Sequence, residues 1–316
     1  MTRVAVLDDY QDVAESLADW ASLPDGTEVV FFSYHLTDVD ALVERLAEFD
    51  VVVLMRERTA FPRSLIARLP RLKLIVTAAM RNVAIDVDAA RDHGVVVSGT
   101  EGSGGATLDL TWGLILALLR HLPAEDAALR AGRWQTTLGV DLAGKTLGLL
   151  GLGRLGSGVA RVGRAFGMEV IAWSEHLTAE RAAEVGATRV ERDELFSAAD
   201  ILSIHVVLSD RTRGLVGAKE LAAMKPTAYL INTSRGPIVD ETALIDALHA
   251  RQIAGAGLDV YDVEPLPMTH PLRSAPHTVL TPHIGFVTRE TYRQWYSGAV
   301  EDIAAFLSGK PIRVLT

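Results

Sequence analysis

Three short stretches in the second half of the chain carry side chains able to do chemistry, and each follows an apolar run. Arg235 lies in Asn232-Thr233-Ser234-Arg235-Gly236, Asp259 in Leu258-Asp259-Val260-Tyr261 with Glu264-Pro265 just beyond, and His283 in Thr281-Pro282-His283-Ile284-Gly285. An arginine holds a carboxylate through two parallel hydrogen bonds and polarises a ketone. A histidine side chain titrates near neutrality, so it can give or take the proton of a hydroxyl. A carboxylate behind the imidazole orients the ring and favours its protonated form. Together these groups form a working set for reducing a 2-oxo acid. Singly each has a plainer reading: Arg235 closing a turn, Glu264 a solvated loop acid, His283 a satisfied loop histidine. Their order beside a nucleotide-binding unit is what favours chemistry.

That unit runs from Lys145 to Glu175. Thr146 to Leu150 reads as a buried strand, Gly151-Leu152-Gly153-Arg154-Leu155-Gly156 as a glycine turn, and Val159, Val162, Ala165 and Phe166 recur at helical spacing. Glu169 to Trp173 reads as the next strand. Strand, G-x-G-x-x-G, helix and strand in this order make a dinucleotide-binding unit. Gly151 allows the tight turn, Gly153 lets the backbone approach a pyrophosphate, and Gly156 lets the helix pack close. The phosphates would then meet the free N–H groups and positive dipole end of the helix. The acidic residue that usually holds the adenosine ribose is displaced: Ser174 follows the second strand, with Glu175 next. Ser174 can bond a 2′-hydroxyl, and an inward Glu175 repels a 2′-phosphate. NAD is therefore favoured, with NADP not excluded.

The 316 residues suffice for two domains, and 49% apolar content provides an ample core. A net charge of −9 argues against attraction to nucleic acid or an anionic membrane. With no cysteine, disulfides, thiolate metal sites and thiol nucleophiles are excluded, and no metal is expected. The amino terminus, with two acids after a short apolar run, reads as neither a signal nor a transit peptide. The longest apolar stretch, Leu108 to Leu119, is too short to span a bilayer. A cytoplasmic protein is expected.

Strand and helix alternate along both halves. Largely apolar strands fall at 4–7, 29–32, 51–54, 72–76 and 95–97, with helices at 13–20, 38–49, 86–93 and a short one from Pro62. Gly99 to Gly105 is a candidate hinge, Thr107 to Leu119 a long apolar helix, and Ala124 to Asp141 polar and irregular, with Trp134 inside it. After Glu175 come a helix at 179–185, a strand at 200–205, a short helix ending at 221–224 and a strand at 228–231. A helix capped by Asp240, strands at 253–259 and 279–280, and a closing helix from Arg289 to Leu307 complete the chain. The expectation is an α/β protein of two Rossmann-like, doubly wound parallel-sheet domains with an interdomain cleft. The substrate domain would be 1–100 plus 288–316, and the dinucleotide-binding domain 101–287.

Taken as a set, the glycine turn and the three stretches around Arg235, Asp259 to Glu264, and His283 resemble the D-isomer-specific 2-hydroxyacid dehydrogenase family over essentially the whole length. The resemblance implies that Arg235 binds the substrate carboxylate and carbonyl, His283 is the acid/base, and Glu264 pairs with it. It also implies that Asp259 contacts the nicotinamide carboxamide, and that Thr107, Val206, Val207, Thr212 and Thr233 line the cofactor. The sequence departs from the pattern at Val207, where a proline is usual. It departs again at Ala79-Met80-Arg81, where the family's substrate loop commonly carries glycines in place of Ala79 and Arg81. Backbone donors survive there, since neither residue is proline, while Arg81 adds bulk and charge. Arg56 falls where phosphoglycerate dehydrogenases place a substrate-contacting arginine, or it is a surface ion-pair residue. The implied activity is hydride transfer between a nicotinamide cofactor and a 2-oxo or 2-hydroxy acid, of the glyoxylate/hydroxypyruvate reductase or phosphoglycerate dehydrogenase type. A homodimer is implied, with Leu108 to Trp134 at its interface. Two other readings share the fold: a phosphite or formate dehydrogenase, and an NAD(H)-sensing corepressor that is not an enzyme.

Overall fold

The computed structural model describes residues 1–102 and 104–315, so one residue of the expected Gly99–Gly105 hinge, Ser103, and the terminal Thr316 lie outside the described residues. The chain divides into two compact units, Met1–Ser103 with Thr288–Thr316, and Gly104–Val287.

The first unit runs β1 (Thr2–Val6), α1 (Ala14–Leu17), β2 (Thr27–Phe31), α2 (Val39–Leu46), β3 (Val51–Leu54), α3 (Arg63–Ile66), β4 (Leu74–Thr77), α4 (Val87–Asp92) and β5 (Val96–Gly99). Its five parallel strands are ordered β2-β1-β3-β4-β5, a doubly wound arrangement. β3 and β4 are buried at every position, as a strand covered on both faces must be. One face packs Ala5, Val52, Leu54, Ile75 and Val97 against α2, α3 and α4. Asp38 and Asp86 open α2 and α4 by accepting from the N–H groups of Ala41 (2.9 Å) and Ala89 (2.7 Å). The helix expected over 13–20 is instead the four-residue α1 and a 3-10 turn at Trp20–Ser22, because Ala18 turns extended.

The second unit begins with α5 (Gly105–Leu119) and α6 (Leu122–Arg130), then β6 (Thr146–Leu150), α7 (Arg154–Ala165), β7 (Glu169–Trp173), α8 (Ala179–Ala183), β8 (Thr188–Arg189), α9 (Arg192–Ala198) and β9 (Ile201–Ile204). It continues with α10 (Ala218–Ala223), β10 (Tyr229–Asn232), α11 (Glu241–His249), β11 (Gly255–Leu258) and β12 (Thr278–Leu280). α12 (Arg289–Leu307) returns to the first unit, where it packs on β4 and β5 with Tyr292, Trp295, Tyr296 and Ile303 buried. The second sheet is seven parallel strands ordered β12-β11-β10-β9-β6-β7-β8. Neighbouring residues of one strand feed opposite cores: Leu149, Ile201 and Ile231 face one, Leu150, Leu202 and Leu230 the other.

The expectation of irregular chain over Ala124–Asp141 is corrected by α6. It starts beyond His121, whose φ is +51°, has a proline in its first turn, and leaves Leu122 and Leu129 exposed. No apolar stripe marks it because only Ala128 of its apolar side chains is buried. Trp134 beyond it is 76% exposed. Among the described residues, no helix is long and apolar enough to cross a membrane.

Candidate active site

Six strands of the second sheet end on one row. Trp173, Leu150, Ile204, Asn232, Leu258 and Leu280 stand in register on β7, β6, β9, β10, β11 and β12, and each is the last residue of its strand. In a parallel sheet every strand delivers its next residue to the same edge. Ser174, Gly151, His205, Thr233, Asp259 and Thr281 are the residues so delivered.

The glycine turn is held against this edge by its neighbours. The Gly151 N–H donates to Trp173 O (2.8 Å), and φ at Gly151 is +102°. A Cβ there would lie 2.8 Å from the His205 carbonyl carbon, and one at Gly156 would lie 2.2 Å from Gly151 O. Side chains are excluded at both positions by backbone. Gly153, the N-cap of α7, differs: a Cβ there meets nothing within 4 Å, so its open side faces away from the protein. Arg154 is exposed and Leu155 half-buried in the first turn of α7. Beside the turn, Ser174 is half-buried and Glu175 exposed. Beneath it, burial pushes the His205 imidazole down to about 4, and its Nε2 meets Ser203 Oγ at 2.9 Å.

Past His205, Val206 accepts from Ser234 Oγ (2.6 Å), and Val207 is 66% exposed. The Thr212 hydroxyl, expected at the cofactor, is engaged in its own turn: it donates to Val207 O (2.7 Å) and accepts from the Ser209 N–H (2.8 Å). These bonds close the loop that lacks the usual proline.

The Arg235 loop is built by Asn232. Its amide donates to Arg235 O (3.0 Å) and its carbonyl accepts from the Ser234 N–H (3.0 Å). The Arg235 guanidinium, half-buried, donates to Ser234 O (2.7 Å). Gly236 presses on the next strand's loop, where a Cβ would sit 2.1 Å from the Tyr261 carbonyl carbon. The Tyr261 N–H in turn donates to Glu264 Oε1 (2.9 Å), and Glu264 Oε2 meets His283 Nδ1 at 2.5 Å. Tyr261 Oη donates to Thr281 O (2.9 Å) at the root of the histidine loop, and burial raises its pKa. His283 has φ +53°, and its ring lies edge-on to Phe286 at 5.4 Å. The loops that carry Glu264 and His283 are therefore bonded together, and the Arg235 loop packs against them at Gly236. With Nδ1 on the carboxylate, Nε2 is the nitrogen left to exchange a proton.

Asp259, 1% exposed, fixes the same loop: Oδ1 accepts from Thr281 Oγ1 (2.6 Å) and the Ile284 N–H (2.8 Å), and Oδ2 from the Gly285 N–H (2.8 Å). Burial nevertheless raises its pKa. The first turns of α5 reach across to both loops. Thr107 Oγ1 donates to Gly285 O (2.9 Å), and Thr111 Oγ1 lies 2.9 Å from Thr233 Oγ1. Asn232 and Tyr261 lay within recognised stretches without a role, and Thr111 was not singled out at all. The available signal was a hydroxyl on the buried face of an otherwise apolar helix.

In the first unit, Arg56 (φ +57°) follows β3 with its Nε 3.4 Å from Glu57 Oε2. Asn82 ties that turn to the next: its amide donates to Arg56 O (2.7 Å) and Thr77 Oγ1 (2.9 Å), and its carbonyl accepts from the Ala84 N–H (2.9 Å). Ala79 holds φ +78°, a left-handed conformation natural to the glycine usual there. Of the loop's backbone donors, the Ala79 N–H is engaged within the unit, donating to Thr100 Oγ1 (3.2 Å). Among the described residues, the N–H groups of Met80 and Arg81 meet no acceptor, and both side chains are exposed. The same edge holds a polar cluster that the sequence did not flag. Asp8 Oδ1 lies 3.0 Å from His35 Nδ1, and Asp8 Oδ2 accepts from Thr59 Oγ1 (2.6 Å).

Residues 112–285 match the family model described as D-isomer specific 2-hydroxyacid dehydrogenase, NAD binding domain. The chain is 40% identical over 292 residues to a glyoxylate reductase of Aeropyrum pernix, covering 89% of this chain and 87% of that one. It is 36% identical over 272 residues to a D-3-phosphoglycerate dehydrogenase of Bacillus subtilis, of which it spans about half the length (51%). A solved phosphoglycerate oxidoreductase of Vibrio cholerae superposes with a TM-score of 0.93 at 38% identity, over 98% of this chain and 100% of that one. The chain thus belongs to the D-isomer specific 2-hydroxyacid dehydrogenase family, whose members are NAD-dependent enzymes acting on the CH–OH group of a 2-hydroxy acid.

Proposed function

We propose that this dehydrogenase works as a D-specific 2-oxo acid reductase of the glyoxylate/hydroxypyruvate reductase or phosphoglycerate dehydrogenase type, with Arg235, Glu264 and His283 as its catalytic residues. The observation that carries the assignment is the 2.5 Å contact of His283 Nδ1 with Glu264, whose loop is packed closely against that of Arg235 at Gly236. NAD suits the residues present: Gly151 and Gly156 exclude side chains at the turn, Gly153 presents an open backbone, and Asp259 keeps an oxygen lone pair for a carboxamide N–H. When bound, the reduced cofactor supplies hydride to C2 of the substrate.

The chain's own groups do the rest. Glu264 holds the imidazole by Nδ1, so His283 Nε2 is the nitrogen that delivers a proton to the ketone oxygen. Arg235 pairs with the carboxylate and stabilises negative charge developing on that oxygen. By the family resemblance, the Met80 and Arg81 N–H groups and Arg56 recognise an anion. Arg81 favours a substrate larger or more anionic than glyoxylate.

Oxidation of NADH and of NADPH against a panel of 2-oxo acids (glyoxylate, hydroxypyruvate, pyruvate, phenylpyruvate, 2-oxoisocaproate, 3-phosphohydroxypyruvate) tests the proposal. Turnover that is lost in Arg235→Ala and His283→Ala is expected. Silence across the panel while cofactor still binds overturns it. The same reading includes a cytoplasmic homodimer. Leu122, Leu129, Trp134 and Leu138, between 52% and 91% exposed, support an apolar subunit contact, and a monomeric mass in solution argues against it.

A further inference from the structure

Thr111 is fully buried on α5, and hydrogen counting fixes the direction of its bonds. A threonine hydroxyl has one hydrogen to donate. Thr111 Oγ1 gives its hydrogen to Thr107 O (2.8 Å), an atom that only accepts. In the 2.9 Å pair with Thr233 Oγ1, Thr111 is then the acceptor and Thr233 the donor. The hydroxyl hydrogen of Thr233 points inward, so the two lone pairs of its Oγ1 can only accept. Thr107 is in the same position, since its hydrogen goes to Gly285 O (2.9 Å). Asp259 Oδ2, holding the Gly285 N–H, also has only lone pairs left. Two of these oxygens lie close together beside Gly285, where a Cβ would be 3.0 Å from Asp259 Oδ2 and 3.5 Å from Thr107 Oγ1. Thr233 leaves the adjacent strand one residue past the in-register pair Asn232 and Leu258.

We propose that Thr111 is a positioning residue that fixes the polarity of Thr233, so that the nicotinamide carboxamide is met at this edge by acceptors and must present its N–H groups. The proposal rests on the assignment of Thr107, Thr233 and Asp259 to the cofactor's nicotinamide end. It makes the amide nitrogen, rather than the ring, the feature by which this end of the cofactor is selected. A buried acceptor facing another acceptor is left unpaired, which disfavours a cofactor that lacks the donor.

The test is equilibrium binding by titration calorimetry with three probes: NAD+, 3-acetylpyridine adenine dinucleotide, which replaces the amide NH2 by methyl, and ADP-ribose, which lacks the nicotinamide. Wild type should prefer NAD+ to the acetylpyridine analogue. In Thr111→Val the Thr233 hydroxyl is released to rotate and donate outward. The NAD+ preference should then shrink by roughly tenfold, with ADP-ribose affinity unchanged and Thr111→Ser behaving as wild type. Thr111→Ala, which removes the same hydroxyl without crowding, serves if the valine variant does not fold. An unchanged preference overturns the proposal, and so does an equal loss for all three probes, which would mark Thr111 as merely structural. Failure of wild type to bind NAD+ at all would instead overturn the cofactor site itself.

Discussion

The two sheets end in similar edges that are put to opposite use. In the first unit the buried polar side chains at the edge are satisfied by partners within the unit. Asp8 is closed by His35, Thr59 and Arg58, Asp9 by the N–H groups of Val13 and Ala14, and Asn82 by three backbone and side-chain partners. In the second unit the bonds run sideways from loop to loop and leave His283 Nε2 and lone pairs of Asp259 Oδ2 and Thr233 Oγ1 over. Each edge contains a histidine on a carboxylate. A histidine–carboxylate pair is therefore no signature of catalysis; what matters is whether its second nitrogen faces a place where a substrate is held.

The largest test breaks that symmetry. His283→Ala should lower kcat by about 10²- to 10⁴-fold with little change in melting temperature. His35→Ala should leave kcat essentially unchanged and destabilise the fold by about 1–3 kcal/mol, because Asp8 loses a buried partner. Steady-state rates and thermal melts of both variants check the pair. Equal effects of the two on rate would erase the distinction between the edges.

A second contrast is in response to acid. The half-buried His205, beside the glycine turn, is pushed down to about 4 in the folded protein by desolvation, against about 6.5 for the unfolded chain. Between those values the unfolded chain binds a proton that the folded one refuses. Stability attributable to His205 is thus intact above pH 6.5 and is lost as pH falls toward 4, by up to about 1.4 kcal/mol per pH unit. Denaturant melts between pH 7 and 4.5 should show that slope, and His205→Gln should flatten it. The same slope in the variant would assign it to other groups.

The smallest effect concerns the first unit's substrate turn. Ala79 holds φ +78° with a side chain, so Ala79→Gly should raise stability by about 0.5–1 kcal/mol. A fall in melting temperature would mean that the methyl group packs better than the strain costs.

The sequence was most legible where local chemistry decides structure. Asp38, Asp86 and Asp240 cap the helices they were expected to open, and the closing helix runs over Arg289–Leu307 as anticipated. Buried parallel strands read directly as apolar runs. The glycine turn and the stretches around Arg235, Glu264 and His283 were visible because each requires particular residues in succession. Short solvent-facing elements were missed: β8 is two exposed residues, and α9, Arg192–Ala198, opens with three charged residues and buries only Leu195 and Phe196. The links among loops were also out of reach. That Asn232 shapes the Arg235 loop, that Tyr261 reaches Thr281, and that Thr111 meets Thr233 across 122 positions are consequences of register and packing. One residue's neighbours in sequence do not reveal them.

The single row on which six strands terminate acts as a common datum for the chemistry. Lengthening any one strand by a residue would carry its terminal group about 3.3 Å beyond the others and turn it to the opposite face. Loops attached above the row have no such penalty. A protein built this way can exchange the specificity of its attachments while the origin from which every reacting group is measured stays where it is, and variation among relatives should accumulate above that line and not below it.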